Sequence, residues 1–257
     1  MKLLCAVLLC SALPMAAAEP FTGIWKEDLT TLRFSGKPQK IELSQGTYKC
    51  LSCDPPYTAK ADGKDQTVSA IPGIDTVSVR IIDDHSVEFI RKKAGKIVYQ
   101  YRETVSSDGA TATEDGTFYP VSSDKAITLT TITKRVGSSI AGMHAISGSW
   151  LREKQSVSEN AKLNTFEQSA DGLKWSAPTG EHYDAKLDGK DYPVSGATGW
   201  DKVVLKRFGA NSIEETDKFG DKFLTTYRYT VSPDGRSMTM EIHDNTGGVR
   251  TSVLKKQ

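Results

Sequence analysis

The chain of 257 residues has almost no net charge, because 33 Lys and Arg stand against 32 Asp and Glu. Proteins that bind nucleic acid through bulk electrostatics need a strong positive field, so this balance argues against that class. Intrinsic disorder is also disfavoured, since aromatic and β-branched residues are plentiful and the net charge is low. We therefore expect a folded protein with no nucleic-acid partner.

Sequence motifs of common catalytic and cofactor sites are missing as well. The chain contains no Gly-x-Ser-x-Gly, His-Glu-x-x-His, P-loop or dinucleotide-binding glycine pattern. Its four histidines have no metal-ligand spacing. We expect neither a metal nor a cofactor, and the pattern favours a protein that is not an enzyme.

The first 18 residues read as a secretory signal peptide. Lys2 supplies a positive charge, residues 3–13 are apolar, and Ala16, Ala17 and Ala18 form a small-residue cleavage pattern. The apolar run is too short to span a bilayer. We therefore expect cleavage after Ala18, a periplasmic or secreted mature protein, and no membrane span once the signal is removed.

Cysteine is scarce, and the signal peptide takes two of the four. The mature chain keeps Cys50 and Cys53, and after export two nearby thiols most often form a structural disulfide. Redox catalysis is the weaker alternative, because no helical pattern in a βαβ context follows the pair. A zinc site would need two more ligands, which the pattern does not supply.

An internal repeat dominates the rest of the sequence. Residues 59–113 match the residues about 126 positions later without a gap, with about 23 of 55 positions identical. The period is much longer than a solenoid or propeller repeat, so each unit is expected to be a whole domain. We predict units at 19–133 and 146–257, joined by a linker at 134–145.

Both units have the pattern of antiparallel β-structure. Asp-Gly pairs, typical of tight turns, separate short runs rich in β-branched and aromatic residues. Several runs alternate with period two, which indicates one buried face and one solvated face. We predict an all-β protein made of two tandem meander barrels, with helical turns only near residues 27–32 and 153–158.

A Gly-x-Trp motif opens each unit, at Gly23 to Trp25 and at Gly148 to Trp150. In this respect each unit resembles a lipocalin-like (calycin-type) barrel, and the duplicated chain resembles exported proteobacterial proteins with two such repeats. The resemblance implies that Trp25 and Trp150 plug the barrel ends. It also implies that an Arg of a late strand packs near each Trp, with Arg135 and Arg250 as the candidates.

Candidate site residues come from the predicted inner face and from positions shared by the two units. Tyr99 and Tyr101, like Tyr227 and Tyr229, would either fill the barrel core or fix the polar group of a ligand in a cavity. Arg102 and Arg228 would form cross-strand pairs on the wet face or capture an anion at the barrel mouth. Glu103 alternates with Tyr101, so a carboxylate would face the interior of the first unit alone.

Three functions follow from these observations. The leading one is a non-catalytic exported protein that binds a small hydrophobic or amphipathic molecule or a protein partner. The second is a cofactor-independent isomerase, cyclase or lyase, with Glu103 and Tyr99 or Tyr101 as an acid–base pair. The third is a structural envelope protein whose two domains bind another protein.

Overall fold

The computed structural model of the protein describes residues 19–257. The predicted signal peptide lies outside these residues. The described chain is almost entirely β-structure, with one short 3₁₀ helix at Glu159–Lys162. No helix between residues 19 and 257 is long and apolar enough to cross a membrane.

Twenty strands form two ten-stranded antiparallel barrels, which confirms the predicted fold class. Barrel I is nearly closed and consists of the following strands: β2 (Gln39–Ser44), β3 (Thr47–Cys50), β4 (Tyr57–Lys60), β5 (Gln66–Thr67), β6 (Thr76–Ile81), β7 (Ser86–Lys93), β8 (Lys96–Val105), β9 (Thr111–Phe118), β10 (Ile127–Val136) and β11 (Gly148–Val157). Barrel II is closed and consists of the following strands: β1 (Gly23–Gly36), β12 (Leu163–Gln168), β13 (Gly172–Ser176), β14 (His182–Lys186), β15 (Asp188–Ser195), β16 (Lys202–Gly209), β17 (Ser212–Phe219), β18 (Lys222–Val231), β19 (Ser237–Asp244) and β20 (Gly248–Lys256).

The opening strand of each sequence unit belongs to the barrel of the other unit. Strand β1 pairs with β12 and β20, and it places Trp25 opposite Lys256. Strand β11 pairs with β10 and β2, and it places Trp150 opposite Arg135. The units expected at 19–133 and 146–257 therefore describe the sequence repeat. Barrel I consists of β2 to β11, and barrel II consists of β1 and β12 to β20.

The short connection between β1 and β2 keeps the two strands in different barrels. Only Lys37 and Pro38 separate them, and a residue before proline is held in an extended conformation. The Lys37 amide donates to the Gly247 carbonyl at 2.9 Å, which fixes the end of β1 on barrel II. The chain therefore runs on into barrel I. The second connection lies at residues 137–147, because β10 continues through part of the predicted linker to Val136.

The two predicted helical turns do not form where they were expected. Residues 27–32 lie within β1, where the pairing with β20 shifts register between Asp28 and Arg33. Residues 153–157 complete β11, and the 3₁₀ helix begins two residues later. In β11, residues 154–157 pair with β10, which satisfies their backbone. Residues 29–32 of β1 have no strand partner and are held instead by a local turn, in which the Asp28 carboxylate accepts a hydrogen bond from the Thr30 amide at 3.1 Å.

A β-bulge at the start of β8 changes which side chains point inward. The pairing with β7 skips Val98, and the equivalent pairing of β17 with β18 skips Leu224. Strict period-two alternation with Tyr99 and Tyr227 predicts that Ile97 and Phe223 face inward, but the bulge leaves them 38% and 42% exposed. Both barrels carry this bulge at the same place in the equivalent hairpin.

The Gly-x-Trp motifs form the end plugs that the resemblance implies. Trp25 and Trp150 are 0% and 2% exposed, and each indole N–H donates to the carbonyl four residues earlier at 2.8 Å. The Arg135 guanidinium lies 4.1 Å from the centre of the Trp150 ring. A side chain on Gly148 would collide with it, which explains the glycine at that position.

The cation beside Trp25 is Lys256 rather than Arg250. The Lys256 ammonium lies 5.2 Å from the centre of the Trp25 ring, and a Cβ on Gly23 would lie 2.6 Å from the Lys256 side chain. Arg250 lies six residues earlier on β20 and binds Glu27 instead. The expectation for Arg135 is therefore correct and that for Arg250 is wrong.

Candidate functional site

Barrel II contains a cavity of about 430 Å³. Its aromatic lining comes from Trp175, Trp200, Tyr227 and Tyr229, and Trp175 packs on Trp200 with ring centres 5.9 Å apart. A volume of this size is within the range of pockets that enclose small organic molecules. Two of the four tryptophans therefore line a cavity, while the other two plug barrel ends.

Two acidic side chains lie side by side on the cavity wall. Glu215 and Asp217 alternate on β17 and are 4% and 6% exposed, so both side chains lie on the inner face of that strand. The Tyr183 hydroxyl donates to Glu215 Oε2 at 2.5 Å. Burial raises the pKa of Glu215 to about 7, and burial together with Glu215 raises the pKa of Asp217 well above its ordinary value. The pair therefore shares a proton near neutral pH.

A third carboxylate in the same cavity comes from the exchanged strand. Glu27 on β1 is 7% exposed, accepts a hydrogen bond from Ser252 Oγ at 2.6 Å, and forms an ion pair with Arg250. The cavity of barrel II thus takes one of its charged groups from the first sequence unit. Without the exchange of β1, Arg250 would lose this partner.

The cavity contains one acidic oxygen without a partner. Asp217 Oδ1 is buried and accepts no hydrogen bond from any residue in the described part of the chain. Buried polar atoms are normally satisfied, so an unsatisfied oxygen on a cavity wall marks a place where a further group can bind. Arg250 Nε is the other unpartnered buried atom among the described cavity residues, but it is a donor, so Asp217 Oδ1 is the unpartnered acceptor.

The interior of barrel I is built from different residues at the same positions. Tyr99 folds over Gly116, where an added Cβ would lie 2.6 Å from its hydroxyl, and the hydroxyl donates to Glu114. Arg91 lies over the rings of Tyr99 and Tyr101 at 5.7 and 5.3 Å from their centres. These side chains pack together where barrel II has its cavity.

Glu103, the catalytic candidate, is 8% exposed and faces the interior of barrel I. Burial, followed by the charge of Glu114 directly across the strands, raises the pKa of Glu103 to about 8. Tyr99 gives its hydroxyl hydrogen bond to Glu114 rather than to Glu103, and the Tyr101 hydroxyl accepts one from Arg91 at 3.2 Å. The geometry therefore does not bring Glu103 together with either tyrosine as the predicted acid–base pair.

Of the predicted ligand-binding residues, Tyr227 and Tyr229 line the cavity, whereas Tyr99 and Tyr101 pack within the core of barrel I. Arg102 is exposed on the outer surface opposite Glu88, and Arg228 forms a 2.9 Å ion pair with Glu214 across β17 and β18. These two positions correspond to the cross-strand interpretation, and they place neither guanidinium in a barrel mouth.

The Cys50–Cys53 disulfide is present, with Cα atoms 5.5 Å apart. Cys50 lies opposite Tyr57 on the neighbouring strand, and the residue opposite the equivalent Tyr183 in barrel II is Trp175. The place of the disulfide in one barrel is thus taken by a cavity-lining indole in the other. Between residues 19 and 257, no group of three or more His, Cys, Asp or Glu is arranged to hold a metal ion.

A second void of about 390 Å³ lies between the barrels, next to the cavity. Arg91 and Arg152 line it from barrel I. Tyr227 and Arg250 line it from barrel II and also line the cavity itself. A molecule that enters between the barrels therefore meets the residues of the cavity wall.

Sequence reasoning missed the acidic residues of the cavity, which are Glu27, Glu181, Glu215 and Asp217. A signal for two of them existed, because Ile213, Glu215 and Asp217 alternate with period two and Ile213 is apolar. Carboxylates at such spacing usually mark the solvated face, which is why the pattern was not informative alone. Glu27 had no signal, since nothing in the sequence indicates the strand exchange.

Comparison with known proteins identifies no relative: no protein-family model matches the chain, and no curated protein matches it.

Proposed function

We propose that this is an exported protein with two lipocalin-like barrels, which binds a small amphipathic molecule inside barrel II. The observation that carries the proposal is the cavity of about 430 Å³, with aromatic walls and a polar end formed by Glu215 and Asp217. Such a mixture of apolar lining and a few convergent polar groups is typical of small-molecule sites. The sequence of residues 1–18 supports export, and the two Gly-x-Trp plugs support the lipocalin-like relationship.

Binding of the neutral fluorescent probe N-phenyl-1-naphthylamine tests the proposal. Thr225 lines the cavity, and the residue at its place in barrel I is Tyr99. Thr225→Tyr should therefore fill part of the cavity and weaken probe binding by about tenfold or more, which corresponds to a loss of about 1.4 kcal/mol of binding free energy. The matched control is Thr226→Tyr, because Thr226 is the next residue on the same strand and alternation turns it outward.

Saturable probe fluorescence in the wild type and in Thr226→Tyr, with weak binding in Thr225→Tyr, is the expected result. Equal binding in all three proteins would place the probe outside the cavity, and absence of saturable binding in the wild type would remove the proposal. Circular dichroism of each variant verifies that the barrels are folded.

A second candidate function is acid–base catalysis, and the proton shared by Glu215 and Asp217 favours it. A buried carboxyl with a pKa of about 7 is suited to proton transfer at neutral pH. The test is exchange of the α-hydrogens of 2-indanone in deuterated water, followed by NMR. Acceleration by the wild type that Glu215→Gln abolishes would support catalysis, whereas exchange at the rate of buffer alone would count against it.

A further inference from the structure

We propose that the cavity of barrel II selects molecules that carry an organic ammonium group, with the unpartnered carboxylate oxygen of Asp217 as its acceptor. This inference deepens the proposed function and rests on it. It names the chemical class of the ligand and the side chain that distinguishes it.

The charged groups around the cavity are mostly acidic. Four carboxyl groups line it, from Glu27, Glu181, Glu215 and Asp217, against one guanidinium, that of Arg250. Arg250 pairs with Glu27 through one terminal nitrogen, while its Nε has no hydrogen-bond partner in the described part of the chain. A cation would therefore meet more carboxyl groups than Arg250 can neutralise, whereas an anion would meet their repulsion and find only that one N–H free.

The Asp217 carboxylate offers an acceptor that no protein group uses in the described part of the chain. Asp217 is 6% exposed and lines the cavity, and its Oδ1 lacks a hydrogen-bond partner. An ammonium group offers only donors, so it can satisfy that oxygen without adding a further acceptor. Charge-assisted hydrogen bonds of this kind are about twice as strong as neutral ones.

Aromatic side chains line the cavity beside the acid pair. Trp175, Trp200, Tyr227 and Tyr229 all lie on its wall, and Tyr227 and Tyr229 stack on each other with ring centres 6.0 Å apart. Aromatic faces attract cations through their quadrupole, and the attraction grows when the cation is desolvated. The same walls would pack against the apolar part of an amphipathic amine.

Proton release on binding follows from this arrangement. The groups that face the acid pair are Tyr183, Tyr227, Tyr229, Glu27 and Arg250, and of these only Arg250 is a cation. A bound ammonium group stabilises the ionised pair and lowers its pKa, so the shared proton is expelled. Affinity should therefore rise as pH increases from 5 to 8.

Isothermal titration calorimetry with three probes of similar shape tests the inference: 2-phenylethylamine, 2-phenylethanol and phenylacetate. We expect the amine to bind at least about tenfold more tightly than the alcohol at pH 8, and phenylacetate more weakly than either. Amine affinity should fall about tenfold or more between pH 8 and pH 5. Titrations in buffers of different ionisation enthalpy should show release of a proton.

The variant pair is Glu215→Gln with Asp217→Asn, which keeps shape and removes both acids. In this double variant the affinities for the amine and the alcohol should differ by no more than about threefold. The wild type is expected to prefer the amine by about tenfold, which corresponds to about 1.4 kcal/mol of binding free energy. The control is Glu214→Gln on the same strand, whose carboxylate pairs with Arg228 outside the barrel and should not affect selectivity. If the double variant fails to fold, proton release by the wild type still decides the question.

Failure of the inference can be told from failure of the proposed function. If 2-phenylethanol binds as tightly as the amine, or the amine binds without proton release, the ammonium inference is overturned while the cavity remains a binding site. If N-phenyl-1-naphthylamine binds and all three phenyl probes do not, the inference is again overturned. If no probe binds at all, both fail together.

Discussion

The two barrels share the same strand framework, but different side chains fill their interiors. At equivalent positions, barrel I has Phe89 and Arg91 where barrel II has Glu215 and Asp217. On the neighbouring strands the difference is reversed, because Glu103 and Glu114 of barrel I correspond to Tyr229 and Met240 of barrel II. In strand order, the equivalent interior residues of barrel I and barrel II are Phe89 and Glu215, Arg91 and Asp217, Glu103 and Tyr229, Glu114 and Met240, and Gly116 and Ile242.

The two copies have kept the residues that close each barrel and differ in the residues that fill it. Each barrel keeps an end-plug tryptophan and the bulge at the start of its long hairpin. In barrel I, Tyr99 occupies the space above Gly116, so that interior is packed. In barrel II, Thr225 and Ile242 stand at those positions and line the cavity. The shared features predict equal effects of mutation in the two barrels, and the diverged interiors predict unequal ones.

The largest expected effect comes from removing an end plug. Trp25→Ala and Trp150→Ala should each lower the free energy of unfolding by about 3–5 kcal/mol, because each leaves a large cavity and removes an indole hydrogen bond. Urea denaturation followed by circular dichroism measures this. A loss below about 1 kcal/mol in one of the two variants would show that the plugs are not equivalent.

The next effect is a dependence of stability on pH that the buried acids impose. The folded-state pKa of Glu215, about 7, lies above its ordinary value of 4.5, so the native state binds more protons between those values. The free energy of unfolding should therefore fall as pH rises from about 4.5 to 7, by on the order of 3 kcal/mol. Glu215→Gln with Asp217→Asn should remove the share of that decline that this acid pair contributes and leave the share that Glu103 contributes.

Glu103→Gln is the matching change in barrel I. The pKa of Glu103 is about 8, so its contribution to the decline runs from about pH 4.5 to 8 and overlaps that of the acid pair. Glu103→Gln should therefore reduce the decline over that whole range, and thermal denaturation of this variant and of the double variant at half-unit pH steps separates the two contributions. A wild-type stability that rises through this range would contradict the assignment of protonated interior acids in both barrels.

A smaller and unequal effect is expected at the cations that cover the plugs. Arg135 donates hydrogen bonds to the carbonyls of Gly109, Ala145 and Ser147 at 2.6–2.7 Å, in addition to covering Trp150. Arg135→Met should cost about 2–3 kcal/mol, since it leaves three carbonyls without these donors. Lys256→Met should cost about 0.5–1 kcal/mol, the value of an exposed cation–π contact. Equal losses in chemical denaturation would contradict this distinction.

The smallest effect belongs to the outer surface. A double-mutant cycle on Glu214 and Arg228 should give a coupling energy below about 1 kcal/mol that 1 M salt weakens, because the pair is partly exposed. A larger coupling would mean that Arg228 contributes more than a surface ion pair.

The fold class, the Trp plugs, the disulfide and the Arg135 contact could be predicted from the sequence, because each rests on local patterning or on a repeated motif. The bulges could not, since period-two alternation places Ile97 and Phe223 inward unless one knows that Val98 and Leu224 are skipped. The position of each bulge is decided by the pairing between two strands rather than by the sequence of either strand alone.

The cavity was hidden for a related reason. Glu27 reaches it only because Lys37 and Pro38 direct the chain from one barrel into the other, and a repeat in the sequence does not reveal which copies of a strand pair. Glu215 and Asp217 have the alternation of a strand face, but the pattern does not say which face is buried. A repeat therefore predicts the shape of a domain better than it predicts which chain segments build it.

The most direct test of the account follows the methionine methyl groups by NMR while 2-phenylethylamine is added. Met240 lines the cavity of barrel II, whereas Met143 lies in the loop that precedes β11 of barrel I. With ¹³C-methyl methionine, the account predicts a saturable shift of the Met240 resonance and an unchanged Met143 resonance. A saturable shift at Met143 alone, or no shift of Met240 at saturating amine, would contradict the claim that barrel II holds the binding cavity.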